Sequence, residues 1–321
     1  MNLGAARRGW LNTRSRREAA TFYLFISPWL IGFLLFTVGI IIVGLLITFS
    51  NYDGLMPLEQ VKLWGFRNYE RLATDSKLSG VLLNTLWFTL VAVPLGIAVQ
   101  LGLAILLNRK GLRGKGIFRT LFYIPSIMPL VAVVIAFQIL FDKNTGLINA
   151  ALSLIVPGTA INWRLGDNIR WVLIMLSVWA SLGSGMVIFL AGLQGIPQEL
   201  KEAAHIDGAN TFQVFRKITV PLLSPVIFFQ LIIGIIFSMQ VLMQPLLLSA
   251  ATSGYGGRSA NLSIEPIASI NMWNNHAVYE IFGNGRYGYG VILLWIMFIL
   301  VALLAVLVFW SSRYWVYYDN Q

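Results

Sequence analysis

The chain has no cysteine and only two histidines, His205 and His276. Disulfides and thiolate metal sites are therefore excluded, and two isolated histidines make no ligand cluster, so no metal is expected. Charge is scarce as well: 11% of the 321 residues are Asp, Glu, Lys or Arg, against 57% hydrophobic residues. Soluble domains carry about 25% charged residues, so this composition excludes one and marks a polytopic membrane protein. There is no Gly-x-x-x-x-Gly-Lys-Ser/Thr loop; Gly114-Lys115-Gly116 comes nearest, and its basic residues are explained by topology. Nor do a nucleophile, a base and an orienting group converge in the sequence, so no enzyme activity is expected of this chain.

What is present is apolar length. Uncharged runs long enough to cross a bilayer as helices, about 20 residues each, cover residues 21–50, 81–107, 120–141, 171–193, 221–249 and 288–312. The expected fold class is all-α, a polytopic membrane protein with six transmembrane helices spanning 21–312. A basic segment, 1–20, precedes them and a short tail, 313–321, follows. The first run is too long for the apolar part of a cleaved signal peptide and lacks a small-residue cleavage site, so it is expected to be retained. Pro125 and Pro129 in the third run, and Pro245 near the outer end of the fifth, are expected to set kinks.

Charge placement orients the chain. With the N-terminus inside, the inner segments carry Arg7, Arg8, Arg14, Arg16 and Arg17, then Arg109, Lys110, Arg113, Lys115 and Arg119, then Lys201, Arg216, Lys217 and Arg313. The outer loops are balanced by acids, among them Asp53, Glu70, Asp75, Asp142, Asp167, Glu265 and Glu280. Most of the net charge of +10 thus falls on one side, beside anionic lipid heads, and needs no nucleic acid to explain it. Both termini are expected in the cytoplasm.

No Asp, Glu, Lys, Arg or His lies inside any of the six runs. Intramembrane ionisable groups carry proton relays, so proton coupling is not expected. A translocated species would be handled by hydroxyls, amides and aromatic faces, with energy supplied by a partner.

Between the fourth and fifth runs lies a polar loop, 194–220. Pro197 suits a first helical position, Glu199 a helix N-terminus, and Ala203 and Ala204 are small helix formers that admit a close surface. Gly208 is placed to end that helix in a left-handed conformation. Thr211 then caps a second short helix through Ile218, before Pro221 turns the chain back into the membrane. From pattern alone this is either an interfacial hairpin closing a loop or a docking element.

The residues Glu202-Ala203-Ala204, Asp207-Gly208-Ala209, Ile218 and Pro221-Leu222-Leu223 resemble the cytoplasmic signature loop of permeases of ATP-binding-cassette importers. Gly65-Phe66-Arg67-Asn68-Tyr69, Asn84-Thr85-Leu86, Pro94-Leu95-Gly96, Ile124-Pro125-Ser126 and Phe189-Leu190-Ala191-Gly192-Leu193-Gln194 are similar to the sugar-uptake branch, of the maltose and glycerol-3-phosphate type. The resemblance implies a permease subunit in a bacterial or archaeal cell membrane, paired with a second, homologous permease. Its other partners would be two cytoplasmic ATPases and an extracytoplasmic solute-binding protein that delivers a sugar or oligosaccharide. ATP and Mg would be held by the partner ATPases, with no cofactor on this chain. The helix around Glu202, Ala203, Ala204, Asp207 and Gly208 would be the coupling helix, Glu202 making a polar contact in the ATPase cleft.

The resemblance also implies a mid-membrane sugar site on the fourth and fifth spans. Ser177, Ser181 and Ser184 share one helical face, and Phe237, Ser238 and Gln244 fall together on the next span. Hydroxyls and an amide can bond sugar hydroxyls while Phe237 packs on a pyranose face; ordinary helix packing is the competing explanation. The stretch 242–257 departs from relatives and, with the loop Asn271-Met272-Trp273-Asn274-Asn275-His276, either marks a different saccharide or binding-protein contact or is loop drift. An ATP-independent secondary transporter or channel for a neutral polar solute is the alternative function, and a non-transporting scaffold a third.

Overall fold

The computed structural model describes residues 4–109, 111–253 and 266–317, with side chains described for 16–109, 111–250 and 266–317. The side chains of Arg7, Arg8 and Arg14, together with Lys110, Arg258, Glu265, the 254–257 part of the variant stretch and tail residues 318–321, lie outside them. Among the described residues there is no strand, only one isolated bridge between Ser50 and Leu63. Five helices among the described residues are long and apolar enough to span a bilayer, and a bent pair, counted as one span, brings the number to six.

The first span starts as α1 (Gly4–Phe33), passes through a π-helical turn, Leu34–Gly39, and continues as α2 (Ile40–Thr48). Its most apolar stretch is unburied within the chain, and only its far end touches the bundle. A short surface helix, α3 (Arg67–Thr74), leads into α4 (Leu78–Asn108). The third span is α5 (Lys115–Ile127) followed by α6 (Leu130–Leu140), bent by 101°. Pro125 is tolerated within α5, whereas at Pro129 the expected kink is a full break. The residue before a proline is pushed out of the helical region, and Met128 is extended at φ −72°, ψ 141°.

After α7 (Leu147–Ile155) comes the central helix α8 (Asn168–Gln194), then α9 (Gln198–Ile206) and α10 (Thr211–Val214). A π-helical turn, Phe215–Thr219, joins α10 to α11 (Val220–Met239). Residues Thr211–Met239 thus form one continuous span, and the turn expected at Pro221 is absent. Pro221 lies ten residues into that span, directly after the π-helical turn Phe215–Thr219. The kink expected from Pro245 is also a complete interruption, over residues 240–242, before α12 (Met243–Ser253). A proline ring clashes with the carbonyl four residues back, here that of Val241. Pro245 itself falls in the first turn of α12, where it is tolerated.

The chain closes with α13 (Trp273–Val278), a π-helical turn, Tyr279–Gly283, and α14 (Tyr287–Ser312). The segment carrying Trp273 and His276 was expected to be a loop, marking either a different saccharide or binding-protein contact or simple loop drift. Instead Trp273, Asn275 and His276 are buried, and Trp273 Nε1 donates to the Leu293 carbonyl at 2.7 Å. Its aromatic and amide residues brace α4 and α14 from within.

Three helices form the core around which the rest is arranged. α4 and α8 run parallel: Asn84 pairs with Arg170, Trp87 with Trp171 and Gln100 with Ser181. α11 runs antiparallel to both, Val226 facing Gly192 and Gly234 facing Val93. Lipid offers no hydrophobic drive between helices, so close packing holds a bundle together and small residues sit at the crossings. A Cβ at Gly192 would lie 2.8 Å from Leu223 Cδ1, and one at Gly234 2.9 Å from Val93 Cγ1.

Candidate functional site

Two features stand out, a cavity between the three core helices and the exposed loop at one end of the bundle. All six residues singled out on the fourth and fifth spans line the cavity, whose volume is about 450 Å³. Every lining residue is uncharged. α8 contributes Ser177, Ser181 and Ser184 because residues three and four apart share a helical face. α11 contributes Phe237 and Ser238, and the break after it brings Gln244 back against α8.

Ser177 Oγ lies 2.6 Å from Gln244 Oε1 and 2.8 Å from the Leu173 carbonyl, one proton facing two acceptors. Ser181 Oγ donates to the Val178 carbonyl at 3.0 Å, and Ser184 Oγ to the Ser181 carbonyl at 3.2 Å. Ser238 Oγ is turned onto its own helix, donating to the Ile235 carbonyl at 3.1 Å. Phe237 is 72% exposed, so its ring is held by little else in this chain.

Two further lining residues, Gln100 and Gln230, were not singled out from sequence. Gln100 Nε2 donates to the Ser181 carbonyl at 3.1 Å and to Ser181 Oγ at 3.2 Å, and Gln230 Nε2 donates to Gln100 Oε1 at 3.3 Å. The available signal was an amide within a charge-free apolar run, where a polar group must find a partner.

At the loop end, α9 begins after Pro197, which stands at the N-cap, one place before the first-turn position expected of it. Glu199 falls in the first turn as expected. The helix ends as the sequence predicts: Gly208 adopts φ +83°, its N–H donates to the His205 carbonyl at 3.1 Å, and the Ala209 N–H donates to the Ala204 carbonyl at 2.9 Å. These two bonds form a Schellman motif and satisfy carbonyls the helix end would otherwise leave open. The following helix is capped by Asn210 rather than Thr211. Asn210 Oδ1 accepts from the Gln213 N–H at 2.9 Å, and Gln213 Oε1 accepts from the Asn210 N–H at 2.8 Å, a reciprocal capping box.

No residue of α9 is buried, and Glu202, Ala203, Asp207 and Gly208 are exposed, with Ala204 half-buried. Ile206 and Phe212 expose 86% and 67% of their surface beside them. The exposed surface here is thus a short polar helix with two bare apolar side chains beside it.

The histidines do not stand apart as expected. His205 Nδ1 lies 3.0 Å from the Ala209 carbonyl, whereas His276 meets Asp75 and Glu280, their ligand-type atoms within 4.8 Å of one another. Each member has a protein partner. Asp75 Oδ2 accepts from Tyr289 Oη at 2.6 Å and lies 2.7 Å from His276 Nε2, while Glu280 accepts from Asn284 at 2.9 Å and from Arg286 at 3.1 Å. Burial pushes the Asp75 carboxyl up, but hydrogen bonds from Tyr289, His276 and the Lys77 N–H outweigh it and hold the group below its ordinary value. The network fastens the segment between α3 and α4 to α13 and α14.

The family described as "Binding-protein-dependent transport system inner membrane component" matches residues 92–316, and this chain belongs to it. It is similar to the probable ABC transporter permease protein YesP of Bacillus subtilis, 36% identical over 308 residues, covering 95% of this chain and 94% of that protein. The trehalose/maltose transport system permease protein MalF of Thermococcus litoralis is 32% identical, with 89% and 91% covered. Among solved structures, a chain of a bacterial alginate ABC transporter, in complex with an alginate pentasaccharide-bound periplasmic protein, shares the fold at a TM-score of 0.75. Identity is 19%, over 94% of this chain and 96% of that one.

Proposed function

We propose that this chain is one of two permeases of an ABC importer for a sugar or oligosaccharide, and that the cavity between α4, α8 and α11 lies on the substrate's path. The observation that carries this reading is chemical: serine hydroxyls, amides and one bare phenyl ring surround the space, with no charge. Sugars are recognised by such groups, hydroxyls and amides bonding their rims and an aromatic ring packing on their apolar face. The relative named as a trehalose/maltose permease supports the same substrate class.

In this reading the end of the bundle bearing α9 faces the cytoplasm, as the basic segments there favour, and both termini lie on that side. The loop 194–220 meets a cytoplasmic ATPase, with Glu202 in a polar contact and Ala203, Ala204, Asp207 and Gly208 giving a close fit. ATP and Mg belong to that partner, and an extracytoplasmic binding protein loads the opposite end. The test is reconstitution of the chain with its second permease, ATPases and binding protein in nanodiscs, with ATP hydrolysis measured against a panel of saccharides. Stimulation by one loaded binding protein, lost in Ser181→Phe, supports the reading. Solute flux through this chain without ATP would favour the channel alternative.

A further inference from the structure

α14 is bracketed by two arginines, Arg286 before it and Arg313 after it, with no charged residue between them. Their surroundings differ. Arg286 is neutralised by Glu280, its Nη1 lying 3.1 Å from the carboxylate. Arg313 is exposed and has no acid within ion-pairing distance among the described residues. Its guanidinium sits instead in a notch between two rings. The guanidinium carbon is 4.4 Å from the ring centroid of Trp310 and 4.7 Å from that of Tyr314, and the two rings meet edge to face at 80°.

The notch is fixed from behind. The N–H groups of Tyr314 and Trp315 donate to the carbonyls of Ser311 and Ser312, folding the chain into a turn at the end of α14. Trp315 packs edge-on to Phe228 of α11, and the Tyr317 N–H donates to Ser224 Oγ at 2.8 Å. Nη2 of Arg313 donates to Tyr314 Oη at 2.6 Å. A guanidinium has five N–H donors in a planar fork, so most of them remain for an outside acceptor. That fork matches the oxygens of a carboxylate or phosphate.

The surface leading to the notch is apolar. Leu303, Leu307 and Trp310 recur at helical spacing and share one face of α14, and Tyr314 extends the stripe past its end. Exposure along it runs from 55% at Leu303 to 70% at Tyr314. Trp and Tyr gather where a span meets the lipid headgroups, and a long cationic side chain reaches the same level.

From this geometry we propose that the Arg313 notch binds the phosphodiester of an anionic phospholipid, whose acyl chains lie along the bare stripe of α14. Two phosphate oxygens accept from the guanidinium fork, and the negative lipid is attracted where a zwitterionic one is not. A protein carboxylate would satisfy the cation alone. The apolar stripe continuous with it is what favours lipid. The inference concerns the membrane around the chain and is independent of what the cavity carries.

The test is lipid retention by the full chain, purified in detergent and read by native mass spectrometry with phosphatidylglycerol or phosphatidylcholine added. The parent is expected to retain phosphatidylglycerol in preference to phosphatidylcholine. Arg313→Gln should bind phosphatidylglycerol about fivefold more weakly, the factor for one arginine beside an anionic surface. Arg313→Lys keeps the charge and loses the fork, so its affinity should fall between the two. Equal phosphatidylglycerol retention by the parent and Arg313→Gln overturns the proposal. Displacement of the lipid by millimolar inorganic phosphate would also overturn it, making this a site for free phosphate. Unchanged lipid retention with loss of the co-purifying ATPase in Arg313→Gln would give the arginine to a protein contact instead.

Discussion

Substitution at Gly208 separates backbone strain from surface fit. Gly208 holds φ +83° and no atom lies within 4 Å of where a Cβ would stand, so a side chain is opposed only by the backbone conformation. A left-handed residue other than glycine costs about 1–2 kcal/mol, and asparagine, which tolerates that region, costs less. Gly208→Ala is therefore expected to loosen the end of α9 by roughly the lower figure, a factor of about five in local population, with the membrane bundle unaffected. Gly208→Asn keeps the turn but adds bulk on the surface assigned to the ATPase, and Gly208→Glu adds charge as well. If close fit governs coupling, the order of damage is Glu, then Asn, then Ala; if strain governs it, Ala is worse than Asn. The assay is the ratio of solute imported to ATP hydrolysed in proteoliposomes, with co-purification of the ATPase and thermal unfolding of each variant. Normal uptake by Gly208→Glu at normal abundance would refute the coupling role given to this loop.

Phe237→Ala should leave thermal stability within about 0.5 kcal/mol, as for other exposed positions, yet raise the KM for uptake several-fold if the ring packs on the solute; an unchanged KM assigns Phe237 to lipid or to the second permease. Asp75→Asn should destabilise the chain by about 1–3 kcal/mol, since it weakens the charge-assisted bonds from Tyr289 and His276, read as a lower thermal midpoint. Because the Asp75 carboxyl is held below its ordinary value, its contribution is complete above about pH 4 and fades as pH falls through the lowered value; Asp75→Asn should remove that share of the acid sensitivity. Asn210→Ala should cost about 1 kcal/mol by removing the capping box, seen as faster amide exchange over residues 210–214.

The number of spans was legible because apolar length is a one-dimensional property. What sequence could not give was where spans break. Pro129 and Pro245 each announced a disturbance, but a kink and a full interruption begin with the same lost hydrogen bond. Which one follows depends on neighbouring helices that can take up the freed groups. Pro221 shows the converse: the same residue type, read as a turn, sits ten residues into a helix that runs unbroken from Thr211 to Met239. The helix end at Gly208 was readable, because a left-handed residue has few chemical solutions. The cap at Asn210 was misassigned by one residue, since Asn and Thr both cap and only the reciprocal bond with Gln213 distinguishes them.

The cavity was half legible for a related reason. Ser177, Ser181 and Ser184 were found because helical periodicity alone puts them on one face. Gln100 and Gln230 lie 130 residues apart, and no local pattern says that two amides on different spans will meet. Their pairing has a physical reason, since an amide in a charge-free apolar run must find a hydrogen-bond partner within the bundle. The same rule recovers Asn84, an amide in the same span, whose Nδ2 donates to the Ala268 and Asn271 carbonyls and whose Oδ1 accepts from Arg170. Amides inside charge-free spans are thus the residues from which inter-helix contacts can be sought before any coordinates exist. On α4 they mark both levels at which the helix is tied to its neighbours, Asn84 near one end and Gln100 in the lining of the cavity.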